Sequence, residues 1–293
     1  MKLNLNSFVL ALLASFLLGA CDSKKKDNSS QFEQAKDTLP QGVKRIGDKL
    51  PPPCEIPYVI QATGAEYNQA LVNDRRKVDD YSSQNDKAAL NLGVFAADIG
   101  YLSSYEKTQE SIDYLTSTKR LAENLGVTTA FDKAMLERFE RNIGNRDSLC
   151  NLLNDAIKQM DQILTGDTRS KLAALMLTGS FVESLYISTG LIKSYPQNTF
   201  SKPEQVTSVL TPLMLIVVKQ RSSIPEVSKI LSEADQTGPI PTIIEDLKQL
   251  EESYRVLNME EQMKNNNGKL IFTSTTLDGI TKMVEKLRGD IVK

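Results

Sequence analysis

The run Leu90-Asn91-Leu92-Gly93-Val94-Phe95-Ala96-Ala97-Asp98-Ile99-Gly100-Tyr101-Leu102 decides the fold class. Leu92, Phe95, Ile99 and Leu102 recur every three or four residues, the period of one helix face, with none of the alternation a strand requires. The period continues through Ile112, Leu115 and Leu121 to Gly126, a helix stop, so residues 86–124 are expected to be helical, either as one helix or as two broken near Ser103-Ser104. Further along, residues 129–143 follow, then 147–164, where Leu149, Leu153, Ile157, Met160 and Leu164 keep the same spacing. Residues 168–194 are apolar around nearly the whole circumference, which places them at the centre of the body. Residues 58–73, 225–234, 242–263 and 276–291 are further helices, and Asn265-Asn266-Asn267-Gly268 is a turn. Residues 204–221, with Pro212 and the apolar run from Leu213 to Val218, fit a buried helix or a strand. There is no βαβ alternation, no two-residue hairpin signal and no Gly-rich loop opening a helix. The expected fold is all-α: a single-domain antiparallel bundle of about eight helices over residues 58–293, with short connections making sequence neighbours antiparallel.

Composition narrows the chemistry. Of 293 residues, 40% are hydrophobic and 25% charged, as in an ordinary soluble domain. Lys and Arg number 35 against 37 Asp and Glu, a net charge of −2, so no basic excess exists to neutralise a phosphate backbone and nucleic acid is not an expected partner. Histidine is absent, which removes Ser–His–acid and Cys–His catalysis and HExxH zinc sites. Trp is absent too and aromatics are 6%, against a stacking platform for sugars or bases.

The N-terminus carries an address. Lys2 precedes an apolar stretch from Phe8 to Leu18 that only Ser15 interrupts. It is shorter than the roughly 20 residues needed to cross a bilayer as a helix. It ends in Leu18-Gly19-Ala20-Cys21, which resembles the bacterial lipobox. The resemblance implies that residues 1–20 are a signal peptide. Cys21 would then take a diacylglycerol on its thiol and a palmitate-type acyl chain on its new amino group. Two or three chains, at about 0.8 kcal/mol per buried CH₂, make such an anchor effectively permanent. Residues 21–57 are polar and then proline-rich, ending in Pro51-Pro52-Pro53-Cys54-Glu55-Ile56-Pro57. They are expected to form a flexible tether spanning roughly 30 Å. Asp22 resembles the inner-membrane retention signal of enteric bacteria, whereas Asp22-Ser23-Lys24-Lys25-Lys26-Asp27 resembles the export signals that follow the lipidated cysteine in Bacteroidetes-type lipoproteins. The outer membrane is favoured over the inner. Cys54 and Cys150 would share an oxidising compartment and form a candidate disulfide; alternatively Cys150 is a small apolar residue of a helix core and Cys54 is free.

One internal echo supplies the candidate site. Gly93-Val94-Phe95-Ala96-Ala97-Asp98-Ile99-Gly100-Tyr101 is similar to Gly179-Ser180-Phe181-Val182-Glu183-Ser184-Leu185-Tyr186, each with Gly-x-Phe, then an acid, then a tyrosine three residues after it. On a helix, residues three apart share a face, so each carboxyl should lie beside a phenol, with Tyr105 one turn further on the first helix. Mid-helix glycines cost about 1 kcal/mol each against alanine and signal close helix approach or a ligand against the backbone. A buried carboxylate needs donors or a proton. Asp98, Tyr101, Tyr105, Glu183 and Tyr186 are therefore either a polar staple in the core, completed by an Arg or Lys, or the lining of a pocket for a cation or polar ligand.

Other features carry less. Metal binding would have to be all-oxygen, with no EF-hand loop present, and no metal or cofactor is expected. No GxSxG elbow exists. Arg288-Gly289-Asp290 matches an integrin-adhesion tripeptide, a coincidence at the end of a helix. The stretch from Glu245 to Glu252 reads as a solvated helix face with i,i+4 pairs.

Residues 90–101, the stretch from Tyr105 to Tyr114, Leu121-Ala122-Glu123-Asn124-Leu125-Gly126 and residues 179–186 resemble a group of all-helical Bacteroidetes-type lipoproteins without an assigned activity. The resemblance implies an envelope location and a helical fold, and it supplies no catalytic residues. The expectation for function is a lipid-anchored, non-enzymatic helical module that binds a protein or a small polar ligand. The alternatives are a histidine-free enzyme using the buried acids with tyrosine, and a purely structural envelope protein.

Overall fold

A computed structural model describes residues 55–127, 133–142, 167–202, 204, 206–258 and 275–293, with scattered positions between 145 and 159. All belong to one compact unit, Gly42–Lys293. The signal peptide, Cys21, nearly all of the tether, Cys54, Cys150 and the Asn265–Gly268 turn lie outside the described residues.

The described residues form an all-α bundle, without strands. Its helices of eight residues or more are α1 (Glu55–Ala62), α2 (Asn85–Ser104), α3 (Thr108–Asn124), α4 (Lys133–Asn142), α5 (Asp167–Ser194), α6 (Thr211–Gln220), α7 (Ile224–Glu233), α8 (Ile240–Val256) and α9 (Asp278–Ile291). Helix α1 starts at Glu55, so Ile56 and Pro57 are buried parts of the body rather than the end of the tether. It stops well before residue 73: Gly64 turns left-handed at φ +82°, and Asn68 caps a separate 3-10 turn by accepting the Ala70 N–H at 3.0 Å. Helix α2 ends at Ser104, where Glu106 takes a positive φ of 59° and Lys107 N–H donates to Leu102 O at 2.9 Å. Helix α3 ends at Asn124, and Gly126 just beyond it takes φ +71°, with Val127 N–H bonded to Ala122 O at 2.9 Å. The apolar stretch around Pro212 is helix: a π-helical turn, Val206–Leu210, runs directly into α6, whose second residue is Pro212.

Helices α2 and α5 form the centre. They are buried on nearly all sides, as expected for 168–194. Among the described residues Ser170–Ser194 is long and apolar enough to cross a bilayer, with a mean hydropathy of 1.3 over an 18-residue window, yet 83% of that window lies inside the body. The two helices touch through their glycines, reciprocally. A Cβ on Gly93 would overlap the Met176 carbonyl oxygen and lie 2.7 Å from Ser180 N; one on Gly179 would overlap the Leu90 carbonyl oxygen. Each glycine thus meets the carbonyl three residues before the other. At one end of the contact Lys171 Nζ reaches Asp86 Oδ2 at 2.7 Å, and at the other Asp98 meets Glu183 in the same register. The two helices therefore run side by side in the same direction.

Two pairs of successive helices pack antiparallel, α2 with α3 and α8 with α9. Ser103 Oγ–Ser111 Oγ, near the turn, and Phe95–Tyr114, farther from it, zip α2 to α3. Helices α8 and α9 pair through Asp246–Lys286 and Ser253–Gly279. Helix α9 lies against both α5 and α8 and buries its apolar stripe Ile280, Val284, Leu287 and Ile291.

Candidate functional site

Asp98 and Glu183, the two acids of the echo, come together in the core. Asp98 lies about a turn past Gly93 and Glu183 about a turn past Gly179, and the parallel course of α2 and α5 carries both to one point. Each is fully buried. Arg288 of α9 closes the third side: its Nε donates to Glu183 Oε2 at 3.1 Å and its Nη2 to Oε1 at 3.3 Å. Such a fork holds a carboxylate by charge and by geometry together. The same guanidinium covers the Tyr186 ring, 4.4 Å from its centroid.

Asp98 has fewer donors. Its Oδ2 accepts the Asn73 backbone N–H at 3.3 Å, while Oδ1 meets no N–H or hydroxyl. The remaining hydrogen-bonding neighbour is the Glu183 carboxyl. Ionised carboxylates only accept, so one of the pair must carry a proton. Burial and then the Glu183 charge push Asp98 well above the usual carboxylate range. Burial raises Glu183 as well, but Arg288 opposes it. Burial and the guanidinium together favour a neutral Asp98 beside an ionised Glu183, the anion that Arg288 holds. Two acids and one base in the interior sum to zero charge.

The phenols go elsewhere. Tyr101 Oη accepts the Asn68 N–H at 2.9 Å, Tyr105 Oη donates to Ala65 O at 2.7 Å, and Tyr186 lies under Arg288. Helical spacing correctly put each tyrosine one turn from its acid. The hydroxyls of Tyr101 and Tyr105 then serve the loop between α1 and α2, whose backbone polar groups need partners. Asn73 of that loop was not legible as a site residue, nor were Tyr81 and Tyr114. The Tyr81 hydroxyl lies 3.2 Å from Asn73 Oδ1 and 3.3 Å from Val292 O, and the Tyr114 hydroxyl donates to Asn73 O. Burial lifts Tyr101 to about 12 and raises Tyr81 and Tyr114, so these phenols stay neutral at physiological pH.

Arg288 was the missed partner, and a signal for it exists. It lies four residues after Val284 and three before Ile291, on the buried stripe of α9, where a cation needs an anion. Arg288-Gly289-Asp290 is thus one stretch of helix with its Arg bonded inward and its Asp paired with Lys286 and Lys293. The charged stretch of α8 divides similarly: Glu245 pairs with Lys248 in solvent, but Asp246 is buried and bonds Lys286 Nζ at 2.5 Å.

A cleft of about 350 Å³ opens between α8 and α9. Leu90, Ile243, Leu287 and Ile291 line it with Asp246 and Asp290, and neither Asp98 nor Glu183 reaches it. Among the described residues no three Cys, Asp or Glu side chains converge as metal ligands. The chain matches no protein-family profile, no curated protein and no solved structure.

Proposed function

We propose that this chain is a lipid-anchored protein of the bacterial envelope whose helical body binds a protein or a small polar ligand and catalyses nothing. The observation that carries the anchor is Leu18-Gly19-Ala20-Cys21, placed at the end of a short apolar run and followed at once by polar, proline-rich chain. The resemblance to Bacteroidetes-type lipoproteins and the run Asp22-Ser23-Lys24-Lys25-Lys26-Asp27 favour the outer membrane. Support for a non-enzymatic body comes from the acids. A general acid or base must come within hydrogen-bond reach of its substrate, and Asp98 and Glu183 are fully buried and bonded to each other and to Arg288. The cleft between α8 and α9 is one concave surface that a small ligand can enter. A structural role is the second reading, favoured by a staple that joins α2, α5 and α9 in one cluster.

Cys21→Ser tests the anchor. The parent chain, expressed in a Gram-negative host with an alkyne fatty acid, should become labelled and partition into the detergent phase. The variant should remain unlabelled and keep its signal peptide by intact mass. Equal labelling of the two proteins would refute lipidation at Cys21.

A further inference from the structure

The buried cluster holds two carboxyls and one guanidinium, and its charge balances only while one proton remains. We propose that Asp98, Glu183 and Arg288 form a proton-gated latch: the proton shared by the two acids keeps α9 docked across α2 and α5, and its loss releases α9. This proposal stands whether or not the chain is lipidated.

The geometry says which element moves. Helices α2 and α5 are locked by the reciprocal glycine contacts, where backbone meets backbone. Helix α9 is the outer member at this point, and its Arg288 side chain is 15% exposed while Glu183 is 0%. Its last residues bury the Ile291 and Val292 side chains and add polar contacts: Asn91 Nδ2 donates to Ile291 O at 3.0 Å, and Lys77 Nζ donates to Val292 O at 3.1 Å beside the Tyr81 hydroxyl. When Asp98 ionises, two anions face one cation in the interior. Water must then reach them, and separating α9 is the opening that leaves the glycine crossing intact.

The groups facing Asp98 can be named from every side. Tyr101 shares its helix, Tyr67 and Asn73 come from the preceding loop, Tyr81 from the turn Val78–Tyr81, Tyr114 from α3, Glu183 and Tyr186 from α5, and Arg288 from α9. Burial holds the Tyr67, Tyr81, Tyr101 and Tyr114 phenols neutral, and burial opposed by Glu183 leaves Arg288 charged. Proton uptake and release therefore fall on the carboxyl pair. Because Asp98 binds its proton more tightly when folded, docking is fully favoured below the ordinary aspartate value of about 4 and weakens as pH rises through the raised one. Within that window the opening constant grows about tenfold per pH unit.

Hydrogen exchange of the full chain in detergent, read by mass spectrometry and corrected for intrinsic exchange, tests the latch. In the parent protein the protection of peptides covering 278–291 should fall by about tenfold per pH unit above pH 4, while peptides at the Gly93–Gly179 crossing hold theirs. Asp98→Asn mimics the protonated acid, since its Oδ1 can accept from Asn73 and its Nδ2 can donate to Glu183; in it, protection of 278–291 should stay high and flat. Infrared spectra of the parent chain should also keep a carboxylic-acid band after exposed carboxylates have ionised. Loss of that band at mildly acidic pH, flat protection in the parent, or the same fall in Asp98→Asn would overturn the latch. If Asp98→Asn does not fold, the two parent measurements decide alone.

Discussion

Arg288→Met is expected to remove about 3–5 kcal/mol of unfolding free energy at neutral pH, the cost of leaving a buried charge without its partner. Methionine keeps most of the side-chain volume, so the loss reports charge rather than a cavity. Glu183 would be left inside α5, beside a second carboxyl, with no cation. Its pKa, already raised by burial, would rise further once the guanidinium no longer opposes it. A carboxyl with a raised folded pKa contributes stability that is complete below its ordinary value, about 4.3, and lost as pH climbs. The deficit against the parent protein should therefore shrink on acidification. Urea melts at pH 4 and pH 7 give the comparison. The double variant Arg288→Met/Glu183→Gln should recover much of the loss, because no unpaired charge then remains. Parent-like stability of Arg288→Met at pH 7 would mean that Glu183 finds water, and that the cluster is not sealed.

Gly179→Ala and Gly93→Ala should each cost at least about 3 kcal/mol, at the upper end for overpacking. A new Cβ at either position overlaps the backbone of the facing helix, at Leu90 for one and at Met176 for the other. A carbonyl within a helix cannot rotate aside as a side chain does, so the axes must separate along the whole contact. That separation also pulls Asp98 from Glu183. A control is Gly289→Ala on α9, where nothing lies within 4 Å and alanine favours helix; stability there should hold or rise. Thermal melts of the three variants make the comparison. Equal melting temperatures would show that the crossing is loose.

Periodicity carried the fold class and the central position of 168–194, because an apolar helix inside a body has a sequence signature. The loop after α1 reads as helix from spacing alone: its departure from helix depends on the left-handed Gly64 and on the Asn68 side chain accepting the Ala70 N–H, short-range events that apolar spacing does not register. The echo pointed to the acids and glycines together, and the structure places them at one crossing. It misdirected the tyrosines, since spacing gives the face of a helix and not the partner that a hydroxyl will find. Arg288 lies 105 residues from Glu183, and a contact at that separation leaves no local trace. Only its place on an apolar stripe betrays it.

The side-by-side course of α2 and α5 has a kinetic meaning. Hairpins such as α2–α3 and α8–α9 draw on partners adjacent in the chain and close early. The glycine crossing joins positions 90 and 179, so a long loop must close before any of its contact energy is returned. Such a nucleus assembles late and slowly for an all-helical protein. Until that loop closes, the hairpins alone cannot bury the central helices, and the apolar faces of α2 and α5 stay open to water.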